Sequence, residues 1–197
     1  MKPAARGSSP LEFFLMTSAI DAPAQQKQEG SAISDPNLND MMIRVATANG
    51  SGSQSSNLIL MRSIHQMGIP TCGKNMFPSN IQGLPTWFDI RVNKDGWSCR
   101  RRRLDVVICM NPESVDDDLA ECSPGTVLVI RDTLADHIKR NDLIVYSVPF
   151  DKLVLECCPE IKLRKMVVNI IYVGVLSWLL KIEMSEIEKA IVVQFNG

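Results

Sequence analysis

Apolar residues recur from Met41 onward in short runs separated by stretches of helical period. Residues 42–46, 104–110, 126–130 and 143–148 are mostly apolar runs, the mark of strands covered on both faces. Residues 86–92 alternate, with Phe88, Ile90 and Val92 on one face. Residues 57–67 set Leu60, Ile64 and Met67 at helical spacing, and Gly68 ends that helix. Asn93-Lys-Asp-Gly96 predicts a hairpin turn into Trp97-Ser-Cys99. Asn111-Pro112 opens a helix ending near Cys122, and Ser123-Pro-Gly125 leads to the next strand. The rest reads as helical, with Ser185-Glu-Ile-Glu188 as a capping box for the last helix. Strands alternating with helices predict an α/β fold: a three-layer α/β/α Rossmann-like domain with a mostly parallel sheet and one hairpin.

Two segments depart from that pattern. Residues 1–40 are rich in Ala, Ser, Pro, Gln and Asp, and read as a disordered N-terminal extension. Residues 166–180 are almost wholly apolar between Lys165 and Lys181, but as a helix they reach about 22 Å, short of a hydrocarbon core. Asn169 interrupts them, so a buried core helix is expected rather than a membrane span.

Composition narrows the function. A length of 197 residues, 45% of them hydrophobic, suits one substantial core. The net charge of −1 provides no field for nucleic acid or an acidic membrane. The six cysteines follow no framework spacing and several sit in apolar runs, which points to a reducing cytoplasm. Only Cys157 and Cys158 are close, and an iron–sulfur cluster needs four thiolates, so no metal site is expected from this chain alone. His65 and His137 are the only histidines, and neither sits in a nucleophile arrangement. Lys94-Asp-Gly96 is a turn, not a thiamine-diphosphate signature. Arg100–Arg103 reads as charge on a sheet edge, and Asp116–Asp118 as a solvated face at a helix start.

Two motifs carry candidate chemistry. Gly50-Ser-Gly52-Ser53 joins a strand to a helix, where backbone N–H groups and the helix dipole favour an anion. Thr47 stands where a dinucleotide fingerprint has its first glycine, no acidic residue follows at the required distance, and no Lys-Ser/Thr closes a Walker loop. A phosphate-bearing ligand and simple tight strand–helix packing both remain. The second motif is residues 74–85, expected to be a loop with Lys74, Asn75, Ser79, Asn80 and Gln82 among prolines and glycine. Its length suits either a rigid structural loop or one that faces a ligand or partner.

Ala48-Asn-Gly-Ser-Gly-Ser53, Met67-Gly-Ile-Pro70, the block from Gly73 to Trp87, Met110-Asn-Pro112 and Asn169-Ile-Ile-Tyr-Val-Gly174 together resemble the gamma region of the 2-oxoacid:ferredoxin oxidoreductases. The resemblance spans residues 43–197, and is nearest the form fused to an alpha subunit. It implies a gamma-type domain over residues 41–197, truncated at its C-terminus. It implies oxidative decarboxylation of a 2-oxoacid to an acyl-CoA, with thiamine diphosphate, Mg and [4Fe-4S] clusters in other parts of the enzyme. The partners implied are the thiamine-binding parts and, through them, ferredoxin. By the same resemblance Asn49, Gly50, Ser51, Gly52, Ser53, Lys74, Ser79, Asn80 and Gln82 face coenzyme A or substrate. An independent phosphate- or nucleotide-binding module, or an inactive fragment, are the alternatives.

Overall fold

The computed structural model describes residues 39–78 and 81–196. The expected disordered extension and the site candidates Ser79 and Asn80 lie outside the described residues, save for Asn39 and Asp40. The elements are β1 (Asp40–Ala48), α1 (Ser53–Gln66), β2 (Thr71–Met76), β3 (Pro85–Asn93), β4 (Val106–Cys109), α2 (Val115–Glu121), β5 (Val127–Arg131), β6 (Ile144–Val148), α3 (Phe150–Cys157), α4 (Arg164–Leu179) and α5 (Met184–Asn196). They form one six-stranded sheet in the order β2-β3-β1-β4-β5-β6. From β1 through β6 the neighbours are parallel, whereas β3 runs antiparallel to both β1 and β2. The expected three-layer α/β/α fold with a mostly parallel sheet is observed.

Each face has its own cover, because side chains alternate along a strand. On one face Met42, Val107, Cys109, Leu128 and Ile130 meet Val115, Leu119 and Cys122 around α2, together with Leu134 of the 3-10 turn Asp132–His137. On the other, α1 packs on α4 and α5 and brings Ile59 and Leu60, both fully buried, to the core. Each such side chain stabilises the fold by about 1.5–3 kcal/mol.

The hairpin lies elsewhere than expected. It joins β2 to β3, so Lys74 and Asn75 stand in a strand rather than a loop. Thr71-Cys-Gly-Lys-Asn-Met76 carries little apolar signal because it is an edge strand, mostly exposed and held through its backbone. Gly73 is required there: a Cβ would stand 2.8 Å from Phe88 Cζ and 2.6 Å from Met61 Sδ. Asn93–Gly96 does turn, with Asn93 Oδ1 accepting from the N–H groups of Asp95 and Trp97, each at 3.0 Å. The chain beyond it pairs with no strand. It crosses the antiparallel side instead, where Arg100 binds Asp89 at 2.6 Å and Arg101 binds Asp105 at 2.6 Å. Arg100 and Arg101 are thus ion-paired clamps, while Arg102 and Arg103 are exposed edge charge as expected.

Three further expectations are corrected. The last helix starts at Met184, so Ser185 lies inside its first turn rather than ahead of it; the backbone has already reversed at Lys181, with φ 53. Helix α4 buries only one side, through Asn169, Tyr172, Val173 and Leu176, and leaves Trp178 67% exposed. Asp118 is buried rather than solvated, because Trp87 Nε1 at 2.6 Å and Ser114 Oγ at 2.9 Å donate to its carboxylate. No helix among the described residues is long and apolar enough to cross a membrane.

Candidate functional site

Strand β1 ends at Ala48, and the next four residues must reverse direction to start α1. Gly50 (φ +79) and Gly52 (φ +81) make that possible, since side-chain-bearing residues rarely adopt these angles. Gly52 is the N-cap of α1 and no side chain caps the helix there. The first amides of α1 therefore keep their positive end toward the turn.

The turn is tied to its surroundings on three sides. Toward the β2–β3 connection, Asn49 N–H donates to Leu84 O at 2.8 Å, Gly83 N–H donates to Asn49 O at 2.9 Å, and Asn49 Nδ2 donates to Ile81 O at 3.2 Å. Gln82 packs so near that a Cβ on Gly50 would stand 2.9 Å from its Cγ. Toward α4, Asn169 Nδ2 donates to Ser51 O at 2.8 Å. Toward α1, Thr47 Oγ1 lies 2.8 Å from Ser53 Oγ, so the residue standing where a fingerprint glycine would be occupies the serine hydroxyl. Beneath, the buried Tyr172 hydroxyl lies 2.8 Å from Asn57 Oδ1 and 3.3 Å from Ser53 O, and burial pushes its pKa upward.

Two clefts open on either side of the turn. The smaller, about 320 Å³, has Thr47, Ser53, Asn57, Asn75, Thr86 and Trp87 among its lining and holds no charged side chain. The Trp87 indole in its wall is fixed by Asp118, whose carboxyl pKa is raised by burial against the opposing pull of Trp87 and Ser114. Behind it, buried Arg44 reaches Asp89 at 2.7 Å and also binds Glu121. The larger cleft, about 500 Å³, lies between the turn, Gln82 and Gly83, and the helices α3 and α4.

Of the sequence-derived candidates, Asn49 and Gly50 border both clefts, Ser51 and Gln82 the larger, and Gly52 and Ser53 the smaller. Lys74 lines neither; it is exposed on the edge strand β2. Trp87 and Asp118 were not among the candidates, and Asn75 entered only as part of the loop motif, without a ligand-facing role. The Trp87–Asp118 bond joins residues 31 apart in sequence, which no local pattern reveals. Among the described residues, no three His, Cys, Asp or Glu side chains converge to hold a metal ion.

Residues 42–197 match the family described as "Pyruvate ferredoxin/flavodoxin oxidoreductase". Among solved structures, a 2-oxoglutarate:ferredoxin oxidoreductase from Magnetococcus marinus, with 2-oxoglutarate, coenzyme A and succinyl-CoA bound, superposes with TM-score 0.67 at 22% identity. That match covers 80% of this chain but only 27% of the other. The gamma subunit of a keto/oxoacid ferredoxin oxidoreductase from Geobacter sulfurreducens gives TM-score 0.63 at 16% identity, over 78% of this chain and 85% of that one. Pyruvate oxidoreductase subunit PORC from Thermotoga maritima gives 0.62 at 18% identity, over 80% and 86%. No curated protein matches the chain.

Proposed function

Since the chain belongs to the pyruvate ferredoxin/flavodoxin oxidoreductase family, we propose that residues 41–197 are the gamma-type domain of a 2-oxoacid:ferredoxin oxidoreductase. The enzyme would convert a 2-oxoacid and coenzyme A to an acyl-CoA and CO₂, passing two electrons to ferredoxin. Thiamine diphosphate with Mg, and the [4Fe-4S] clusters, belong in this reading to partner regions. The thiamine cofactor supplies the carbanion chemistry when bound there. This chain's residues bind and cover: Asn49, Gly50, Ser51, Gly52 and Ser53, with Gln82, form a rim toward coenzyme A and substrate, and the resemblance gives Ser79 and Asn80 the same role. Lys74 is left out of that rim. Six free cysteines fit a reducing compartment such as the cytoplasm.

The observation that carries the reading is the double backbone bond between Asn49 and residues 83 and 84. It brings the glycine turn and the β2–β3 connection, far apart in sequence, to one edge of a family fold. The test is reconstitution with the thiamine-binding subunit, followed by 2-oxoglutarate- and pyruvate-dependent reduction of ferredoxin. Gln82→Ala and Asn80→Ala should raise the KM for coenzyme A while the complex still assembles. A chain that neither joins that subunit nor alters its turnover defeats the reading.

A further inference from the structure

The larger cleft has a charge pattern that the glycine turn does not explain. Arg131, Arg164 and Lys165 line it, against one carboxylate, Asp151, in a chain whose net charge is −1. Asp151 pairs with Arg131 alone among the described residues. Its Oδ1 is 3.8 Å from Arg131 Nη2, and its side chain is 56% exposed. The Arg164 guanidinium is pinned by neutral carbonyls: its Nε donates to Cys158 O at 3.0 Å and its Nη2 to Pro159 O at 3.4 Å. It makes no ion pair among the described residues, and neither does Lys165. Both stand in the first turn of α4, a 16-residue helix whose dipole adds positive potential there. In addition, Ser51 Oγ and Arg131 Nε are buried without a hydrogen-bond partner among the described residues, although buried polar atoms are nearly always satisfied.

The rest of the lining includes apolar side chains. Val154, Leu155 and Val168 line the same cleft, and Leu155 is 57% exposed. A space of about 500 Å³ is of ligand size and offers both cations and hydrocarbon.

We propose that this cleft is an anion subsite, in which Arg131, Arg164 and Lys165 hold the phosphate groups of an amphipathic phosphoester while Leu155 and its neighbours contact its less polar part. Arg164 can offer a paired fork of donors to a phosphate, and Lys165 a point charge. Naming coenzyme A as the source of the phosphate rests on the function proposed above; the subsite itself does not.

The experiment is calorimetric titration of the 197-residue chain with pyrophosphate, ADP and coenzyme A at two salt concentrations. The variants are Lys165→Gln, Lys165→Arg, Arg164→Gln and the double Gln substitution. Lys165 is exposed and makes no ion pair among the described residues, so Lys165→Gln should fold like the parent, which a melting curve checks. Expected are salt-weakened binding of pyrophosphate and coenzyme A in competition, a loss of affinity of about tenfold or more in the double variant, and retention in Lys165→Arg. Pyrophosphate binding that the variants abolish, with coenzyme A unable to compete, keeps the subsite and defeats coenzyme A as its ligand. Binding unchanged in the double variant, or no anion binding by the parent chain, overturns the proposal.

Discussion

Asn169, within the apolar helix α4, donates its side-chain amide to the carbonyl of Ser51 at 2.8 Å, joining the fourth helix to the turn after the first strand. The same amide reaches Lys165 O at 3.1 Å. A polar residue that interrupts an apolar run is thereby a tether. Asn169→Leu keeps the branched shape but strands these carbonyls, and should cost about 1–3 kcal/mol. At roughly 2–4 °C per kcal/mol for a chain of this size, the melting midpoint should fall by several degrees. An unchanged midpoint would show that the tether adds nothing.

Gly50 combines a positive φ with a close neighbour. Gly50→Ala should cost about 1–2 kcal/mol for the left-handed backbone alone, and more from the contact with Gln82. Combining it with Gln82→Ala should relieve the second part but not the first, so the double variant melts above Gly50→Ala. A double-mutant cycle with no coupling energy would remove the contact from the account.

Arg44 and Asp89 form a buried pair with a second bond at 3.1 Å between Nη2 and Oδ2. Asp89→Ala should destabilise by about 3–5 kcal/mol, because it leaves a buried guanidinium with Glu121 as its remaining carboxylate partner. Arg44→Met should cost less, since Arg100 still pairs Asp89 at 2.6 Å. Urea midpoints of the two variants should rank in that order, and the reverse order would contradict the geometry.

The thiols divide by burial. Cys72 and Cys99 are exposed, while Cys109, Cys122 and Cys158 are buried. A thiol reagent at pH 8 should modify Cys72 and Cys99 first, as mass spectrometry of digests would show. Burial pushes the Cys122 thiol up to about 11 from 9.0. A raised acid favours folding while it is protonated, so its contribution is full below pH 9 and declines between pH 9 and about 11. Across that range the stability of Cys122→Ala should fall less steeply than that of the parent. Equal slopes would contradict the shift.

The strands of the parallel half were readable because runs such as residues 106–109 are buried on both faces and need no polar alternation. Strand β2 was not. Gly73 and Lys74 look like loop residues, and only pairing with β3 reveals their strand geometry. The turn at Gly50 and Gly52 was legible because backbone angles leave few other choices of residue. The anchoring of Trp87 by Asp118 was not, since a carboxylate in an acidic helix start looks solvated until the opposite wall is known. Arg131, Arg164 and Lys165 escaped for a related reason: they come from a strand end and a helix start that meet only after folding.

The three hydrogen bonds around Asn49 leave little play between the tip of the first strand and the bend that closes the hairpin. When one is displaced the other must travel with it, as two teeth on a single comb. Whatever pushes on the hairpin's outer edge will thus reach both hollows as a shift of their common partition, with its shape preserved.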